Sequence, residues 1–329
     1  MLKDEILELL RQGGDYVSGQ EMSSRLGVTR AAVWKAVESL RQEGYAISSV
    51  TRRGYRLEAA TNRLTQGEVL AELGEHPWRD RVQVLDTVGS TNNLCKVLAQ
   101  QGAPSGTVVL ADHQTGGRGR MGRSFFSPPG MGVYLSVILR PETTPQNLLH
   151  LTCAFAAAMC DAVERACGLR PEIKWTNDLI SGGRKLSGIL TELSIEAESG
   201  HVQYAVLGIG VNCCQGPGDF PPEVADKAGS LAMALGGPVD RNRLAAEMIR
   251  SSEELSRTLL SCKTQWMDKY RRDCVTIGKD VEVLRPDKME KGRALDVDEN
   301  GGLVVRYADG REETVSSGEV SVRGLYGYV

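Results

Sequence analysis

The residues with the clearest chemical potential lie in one short segment rich in glycine and arginine, Gly116–Arg123. Its eight positions hold four glycines and three arginines. This composition has little preference for helix or strand, so we expect a loop. Backbone N–H groups and guanidinium forks both suit the oxygens of phosphates and carboxylates. The segment predicts a flexible loop that closes over an anionic ligand, although by itself it also fits a surface turn with solvated arginines.

The same segment matches the G-x-G-x-x-G spacing of dinucleotide-binding loops, at Gly117, Gly119 and Gly122. Such a loop must follow a strand directly and must open a helix. Here the preceding apolar run, Thr107–Ala111, ends several residues too early. The following Ser124–Gly130 contains two adjacent prolines and cannot open a helix. We therefore reject a dinucleotide-binding fold.

A second group of polar residues lies between two predicted strands. Lys174, Asn177 and Asp178 come within five residues at the end of one short strand, and Lys185 lies at the start of the next. The Gly208–Gly210 segment places glycines at strand positions where the backbone can approach a ligand closely. Lysines beside strands are usually solvated. Together with the loop arginines and the strand glycines, however, they indicate a polyanionic ligand such as a nucleotide plus a carboxylate.

The composition limits the class of protein. A chain of 329 residues is long enough for two or three domains. A net charge of −3 argues against general coating of nucleic acid but allows a local basic module. No apolar run approaches a membrane span, and the first ten residues mix charged with apolar side chains, unlike a signal peptide. Eight cysteines and four histidines without ligand spacing predict no zinc site, reduced thiols and a cytoplasmic location.

The pattern of the first 66 residues indicates a DNA-binding module. Three amphipathic helices are expected, with Ser18 opening a capping box, Gly27 making the tight turn, Thr29 capping the third helix and Gly44 ending it. Two alternating segments around Thr51–Gly54 predict a hairpin, which completes a winged helix. The residues expected to reach DNA are Ser18, Thr29, Arg30, Lys35, Arg52 and Arg53. The alternative is a winged helix that contacts protein. The polar residues 58–65 are interpreted as a linker.

The rest of the chain predicts a mixed domain and then a small β module. In the mixed domain, the helix after the polar turn at residues 86–92 would be capped by Ser90 or Thr91, which is the commoner role of such residues. A long helix is expected over about residues 146–167. The other expected elements are strands over Val82–Leu85, Thr107–Ala111, Val133–Leu139, Arg184–Glu192 and Tyr204–Val211. In the β module, strands are expected over Val275–Leu284, Gly292–Val297, Leu303–Tyr307, Glu312–Val315 and Val320–Arg323, with hairpin turns at Asn300-Gly301 and Asp309-Gly310.

Five motifs, in order, resemble those of biotin protein ligases, and the N-terminal module makes the whole chain similar to the bifunctional ligase/repressor branch, the BirA family. The motifs are Ser90-Thr91-Asn92, Gln114 with Gly117–Arg120, Lys174–Asp178, Arg184–Leu190 and Gly208–Asn212. Each motif alone is weak. Five in order together with a DNA-binding module form a specific pattern.

The resemblance implies a fold and an activity. The fold is α+β and multidomain: a winged helix-turn-helix over 1–66, a class II synthetase-like ligase domain over 67–272 and an SH3-like barrel over 273–329. The enzyme would join biotin to ATP, with Mg²⁺, to give biotinyl-5′-AMP, and then transfer biotin to a lysine of a biotin carboxyl carrier protein. As a homodimer it would bind operator DNA, with biotin the precursor of the corepressor.

The resemblance also implies roles for individual residues. Lys185 would contact the biotin carboxylate and the α-phosphate, Arg118 and Arg120 would clamp both, and Arg123 would assist. Lys174 would stabilise charge, while Asn177 and Asp178 would hold Mg²⁺ or orient the incoming lysine. The further biotin-binding residues would be Ser90, Thr91, Asn92, Gln114, Gly119, Gly188, Gly208 and Gly210, and Asn212 would bind the nucleotide.

Two departures from the family pattern and three alternatives stay open. Met121 stands where another arginine is usual, and residues 216–230 lack a tryptophan to stack on adenine. A lipoate or octanoate ligase would share the fold but need a longer apolar tunnel. A sensor repressor without catalysis would not need this whole set of residues together: Lys185, Arg118, Arg120, Asn177 and Asp178. In the third alternative the protein is only an enzyme, and its winged helix is a structural relic that no longer binds DNA.

Overall fold

The structure, a computed structural model, describes residues 2–12, 15–42, 45–59, 63–285, 288–316 and 321–324. The first part is a winged helix. Its elements are α1 (Leu2–Gln12), α2 (Gly19–Leu26), α3 (Arg30–Gln42), β1 (Ala46–Val50) and β2 (Gly54–Ala59). The predicted caps are confirmed: Ser18 Oγ accepts from Glu21 N at 3.0 Å, and Thr29 Oγ1 accepts from Ala32 N at 3.2 Å. The predicted helix stop at Gly44 lies outside the described residues.

The central domain is built on one seven-stranded mixed sheet. Its strands are β3 (Val82–Val88), β4 (Thr107–Gln114), β5 (Gly132–Leu139), β6 (Glu172–Lys174), β7 (Asp178–Ser181), β8 (Arg184–Ile195) and β9 (Val202–Asn212), in the order β3-β4-β5-β9-β8-β7-β6. Its helices are α4 (Gln66–Leu73), α5 (Thr91–Gln100), α6 (Leu151–Cys167), α7 (Leu231–Leu235), α8 (Arg241–Thr258) and α9 (Lys263–Asp273). The hairpin predicted between the strands at 184 and 204 is confirmed as β8 and β9.

The two faces of this sheet are covered differently, and strand alternation shows how. On β9, the side chains of Leu207, Ile209 and Val211 belong to the main core with residues of α6 and α8. The alternate residues Tyr204 and Val206 pack in a smaller cluster with Cys95 and Ala99 of α5. The next two positions on that second face are Gly208 and Gly210. The second face therefore loses its side chains where α5 begins, and a hollow remains above the sheet.

Several predicted element bounds are wrong. Strands β3 and β4 run on to Val88 and Gln114, because their polar ends still pair in parallel register. The long helix α6 begins at Leu151, after a 3₁₀ turn over Pro145–Leu148. Strand β2 reaches Ala59, inside the predicted linker. The helices α4, α7, α8 and α9 were not predicted at all. Apolar runs mark only the buried part of an element, whereas backbone pairing extends further.

The C-terminal part is a five-stranded antiparallel sheet. Its strands are β10 (Asp280–Leu284), β11 (Met289–Val297), β12 (Leu303–Tyr307), β13 (Glu312–Val315) and β14 (Ser321–Gly324), in the order β13-β12-β11-β10-β14. The first strand begins at residue 280, not 275, because Gly278 takes a φ of 79° and Val275 N is bonded to Ile173 O in the central domain. Both predicted hairpin turns are confirmed. Val320 lies outside the described residues. No helix in the described part of the chain is long and apolar enough to cross a membrane.

Candidate functional site

A pocket opens above the bare stretch of the central sheet, at the start of α5. It encloses about 300 Å³ of space, part of which is open to solvent. Most of its lining was predicted from the motifs: Ser90, Thr91, Asn92, Gln114, Arg118, Gly188, Gly208 and Gly210. The rest of the lining is apolar: Phe125, Leu190 and Ile209. The pocket thus brings together residues from four of the five sequence motifs.

The polar wall of the pocket is a closed hydrogen-bond network. Gln114 Oε1 accepts from Thr91 N at 2.9 Å and from Thr91 Oγ1 at 3.1 Å. Ser136 Oγ lies 2.8 Å from Thr91 Oγ1 and 2.6 Å from Asn92 Oδ1, with one proton to donate. Ser90 starts α5, but its side chain makes no capping bond, so the commoner interpretation of a simple helix cap is wrong for Ser90. Ser90, Thr91 and Asn92 instead line the pocket.

The floor of the pocket needs glycine at two positions. A Cβ on Gly208 would overlap Asn92 Oδ1, and a Cβ on Gly210 would overlap the ring of Phe125. Phe125 in turn packs edge-on against Tyr134, with ring centroids 6.4 Å apart. The missing side chains therefore let Asn92 and Phe125 lie directly on the sheet. The contact of Gly208 with Asn92 and the contact of Gly210 with Phe125 were not predicted from the sequence.

The glycine- and arginine-rich segment forms a narrow loop beside the pocket. Gly119 N donates to Arg123 O at 2.7 Å, and Phe125 N donates to Gly117 O at 2.9 Å. Within it, Arg120–Gly122 makes one 3₁₀ turn, with Met121 exposed at a φ of 56°. Since β4 runs to Gln114, one reason for rejecting a dinucleotide-binding loop was wrong. The other holds, because no helix follows.

Arg118 is positioned by two side chains outside the loop. Its Nη1 donates to Asn93 Oδ1 at 2.8 Å and lies 3.4 Å from Glu192 Oε1. Glu192 also accepts from Asn92 at 3.0 Å and from Lys96 at 2.9 Å. Burial alone would raise the pKa of Glu192, but these hydrogen bonds and the nearby cations lower it below its usual value. A carboxylate that stays ionised therefore anchors this side of the pocket.

Next to the pocket, the second polar group forms two cation contacts. Arg120 Nη1 donates to Asn177 Oδ1 at 2.8 Å, and Lys185 Nζ lies 2.7 Å from Asp178 Oδ1. Burial lowers the pKa of Arg120, and Asp178 opposes that effect, so the guanidinium stays charged. Asp178 pairs in the sheet with Gly188 of the pocket floor, where a Cβ would lie 3.3 Å from Lys185 Nζ. The pocket and the cations therefore form one continuous site.

Three other residues with predicted roles lie away from the pocket lining. Lys174 belongs to β6, where it pairs with Asp178. Arg123 is exposed. Asn212 is buried and holds the following loop, since its Nδ2 donates to Gly229 O at 3.0 Å and its Oδ1 lies 3.3 Å from Gln215 Nε2. Among the described residues, no three His, Cys, Asp or Glu side chains cluster to hold a metal ion.

Sequence reasoning missed Ser136, Glu192 and the partners of Trp175. Strand alternation was an available signal for Glu192, because Gly188, Leu190 and Glu192 share one face of β8. No comparable signal existed for Trp175. Its backbone N donates to Thr276 Oγ1 at 2.9 Å and its Nε1 donates to Gly301 O at 3.0 Å. The C-terminal part of the chain thus holds the residue two positions before Asn177.

The predicted DNA-binding residues divide into two groups. Arg30, Lys35 and Arg52 are exposed and, within the described residues, make no salt bridge. Ser18 caps α2, Thr29 caps α3, and Arg53 is bonded to Asp15 at 2.9 Å. The basic surface is therefore centred on the start of α3 and on the tip of the β1–β2 hairpin.

Comparison with known proteins matches all three parts of the chain. Residues 84–212 match the biotin/lipoate A/B protein ligase family, residues 3–56 an HTH domain and residues 276–323 the biotin protein ligase C terminal domain. The biotin–[acetyl-CoA-carboxylase] ligase of Mycobacterium tuberculosis is 34% identical over 74% of this chain and 89% of that protein. A biotin protein ligase from Aquifex aeolicus, solved in complex with biotin and ATP, shares 27% identity at a TM-score of 0.63, covering 74% of this chain and 98% of that one.

A further relative extends over nearly the whole molecule. The bifunctional ligase/repressor BirA of Bacillus subtilis is 36% identical over 322 residues, which cover 96% of this chain and 97% of that protein. Winged helix, ligase domain and C-terminal sheet follow one another in the order that the sequence predicted. The chain belongs to the BirA family of bifunctional ligase/repressors.

Proposed function

We propose that this protein is an ATP-dependent biotin–[biotin carboxyl carrier protein] ligase that also acts as a biotin-responsive repressor. The observation that carries the proposal is the junction of a small, glycine-floored pocket with the cations Arg120 and Lys185. A pocket with amide and hydroxyl groups at one end suits the ureido ring of biotin. The cations at the other end suit a carboxylate and a phosphate.

In the first step, an oxygen of the biotin carboxylate attacks the α-phosphorus of ATP. The bond from that phosphorus to the bridging oxygen breaks, and pyrophosphate leaves. Negative charge builds on the α-phosphate oxygens as two anions meet. Lys185 and Arg120 lie where they can stabilise it, and Arg118 can assist from the loop. Such preorganised charge stabilisation is commonly the largest contribution to catalysis.

In the second step, the neutral amine of the acceptor lysine attacks the acyl carbon of biotinyl-5′-AMP. An amide bond forms and the bond to the phosphate oxygen breaks, so AMP leaves and the amine releases one proton to the AMP phosphate or to water. Asp178 and Asn177 border the reacting end of the site and can orient the amine. Closure of the Gly116–Arg123 segment over the adenylate would exclude water from this reactive anhydride.

Magnesium would accompany ATP. The donor set fits an ion held mainly by phosphate oxygens, since Asp178 offers one carboxylate and Mg²⁺ commonly takes one or two from the protein. When bound, the ion would neutralise phosphate charge. Lys174, Arg123 and Asn212 are assigned supporting roles around the phosphates and the adenosine.

Repression would require a homodimer that presents two winged helices to two half-sites. An exposed strand edge supports this proposal. Beyond Ile189, β8 is paired with β9 on one side, and within the described residues no strand pairs with its other side. Leu193 and Ile195 are exposed along that segment. Such an edge readily pairs with a second chain. Sedimentation of the protein with biotin and ATP, compared with the free protein, should show more dimer, and an unchanged mass would contradict this.

We also propose domain boundaries near residues 66 and 272 and a cytoplasmic location. Eight free thiols support a reducing compartment.

The ligase proposal is tested by biotin-dependent exchange of pyrophosphate into ATP, with lipoate as the parallel substrate. This measurement needs neither an acceptor nor an operator. We expect exchange with biotin alone. Exchange with lipoate alone would change the substrate, and no exchange in protein shown to bind biotin would favour the sensor repressor.

A further inference from the structure

One tryptophan of this protein is placed unlike the others. Trp78, Trp175 and Trp266 are buried, and the indole N–H groups of the last two are hydrogen-bonded within the chain. Trp34, in contrast, is 54% exposed in the middle of α3. More than half of this large, rigid side chain is therefore available to contact another molecule.

The surroundings of Trp34 indicate what that surface contacts. On α3 the buried face is Val33, Ala36, Val37 and Leu40, which pack in the core of the winged helix. The opposite face of its first two turns carries the exposed residues Thr29, Arg30, Ala31, Trp34 and Lys35. Apolar groups thus lie between two cations that make no salt bridge within the described residues. A charge pattern of this kind is complementary to a polyanion with apolar groups at its centre.

The major groove of DNA has that chemistry. Phosphates line its two rims, and the C5-methyl group of thymine is the apolar group that base pairs present on its floor. The second helix of a helix-turn-helix enters this groove with its N-terminal residues toward the bases. With Arg30 and Lys35 directed to the rims, the residues between them face the base edges.

We propose that Trp34 is a specificity-determining residue for operator binding, whose indole packs against the methyl group of a thymine in each half-site. The proposal rests on the proposed DNA-binding function and deepens it. Arg30 and Lys35 supply attraction that does not depend on sequence, because phosphate contacts are the same at every base pair. Trp34 supplies selection among base pairs.

The test uses the full-length chain with biotin and ATP, and a duplex selected by it from a random pool. Each thymine of that duplex is replaced in turn by uracil, which removes only the C5-methyl group. We expect one symmetric position at which this change weakens wild-type binding about fourfold, the effect of one buried methyl group. Trp34→Ala should bind the thymine duplex about tenfold more weakly. It should show no further loss with uracil.

Two variants serve as controls. Trp34→Phe keeps an aromatic contact and should retain the discrimination between thymine and uracil. Lys35→Ala should weaken binding to all duplexes equally and reduce the dependence of affinity on salt, with the discrimination intact. Thermal unfolding and biotin-dependent pyrophosphate exchange should be unchanged in all three variants, which shows that the chain is folded.

The proposal is overturned if Trp34→Ala binds the thymine duplex within about twofold of wild type. Equal loss on uracil substitution in wild type and Trp34→Ala also overturns it. In both cases, selective binding by wild type would leave the proposed DNA-binding function standing. A wild-type chain that selects no sequence at all would remove both that function and the role of Trp34.

Discussion

The ligase pocket and the DNA-facing surface of α3 are built on opposite plans. In the pocket, Thr91, Gln114 and Ser136 are bonded to one another, and Arg118 is held by Asn93 and Glu192. On α3, Arg30, Trp34 and Lys35 project from the protein surface. The pocket groups are oriented by the folded chain, whereas Arg30 and Lys35 of α3 make no salt bridge within the described residues.

This contrast has a consequence for substitutions. A pocket that is oriented in advance supports catalysis, because its dipoles need not reorganise as charge develops. It also transmits any local change to its neighbours. An exposed recognition face binds through many similar contacts and can be altered one residue at a time without loss of the fold.

The two regions meet where α1 of the winged helix packs against α4 of the ligase domain. Glu68 is 2% exposed and forms a salt bridge with Arg11. Tyr45 and Thr65 add a hydrogen bond of 2.7 Å between their hydroxyls. The junction therefore resembles the pocket in one respect, since its polar side chains contact one another inside the chain.

The largest effect is expected at the cation that contacts Asp178. Lys185→Ala should reduce biotin-dependent pyrophosphate exchange by about 10²–10³-fold, because one preorganised charge is lost from the developing phosphate charge. Lys227→Ala is the matched control. Lys227 is exposed, and its backbone carbonyl, not its side chain, accepts from Lys185 N at 2.7 Å. Equal activity of the two variants would contradict the role of Lys185.

The next effect concerns the junction. Glu68→Ala should lower the free energy of unfolding by roughly 2–3 kcal/mol, because it leaves the partly buried Arg11 cation without its carboxylate. Glu75→Ala, at an exposed position in the same region, should be nearly neutral. Denaturant titration measures both. A loss in Glu68→Ala no larger than in Glu75→Ala would show that the two regions are independent.

A smaller effect is expected where the C-terminal sheet supports the pocket. Trp175→Phe should cost about 1–2 kcal/mol of unfolding free energy, since Gly301 O loses its indole donor and keeps only the weak thiol donor of Cys153. It should also lower the rate of exchange, because Trp175 precedes the Asn177 that positions Arg120. Trp266→Phe is the control, as it removes a bond of 3.1 Å to Thr258 at a site away from the motif. Trp266→Phe should lose similar stability but keep the normal rate of pyrophosphate exchange. Equal exchange rates in the two variants would show that Trp175 does not support the pocket.

The smallest effect depends on pH. The pKa of Glu192 is lowered in the folded chain, so ionised Glu192 stabilises the fold above its ordinary pKa. That contribution is lost as the pH falls through the lowered value. Glu192→Gln should therefore reduce the melting temperature at pH 7, and its difference from wild type should shrink as the pH falls below about 4. Glu198→Gln, which is exposed, should match wild type throughout this range. If the difference in melting temperature between Glu192→Gln and wild type instead grew as the pH fell, the proposed stabilisation by ionised Glu192 would be contradicted.

The same contrast explains what the sequence could and could not predict. The caps at Ser18 and Thr29, the turns and the glycine motifs follow local rules, and the structure contains them. The polar wall does not, because Asn92 bonds to Glu192 from 100 positions away. Arg53 was predicted to face DNA from local charge, yet it is bonded to Asp15, 38 positions earlier. Helices α4, α7, α8 and α9 were not predicted, because they lie outside the sequence motifs.

We propose that one chain makes the ligand that controls its own DNA binding. The most direct measurement is the affinity of the protein for its selected operator, with and without biotin and ATP, in wild type and in Lys185→Ala. We expect the two ligands together to tighten wild-type binding by at least about fivefold, as a coupling between distinct sites would do. They should leave Lys185→Ala unchanged. Equal operator affinity of wild type with and without the ligands would contradict the claim.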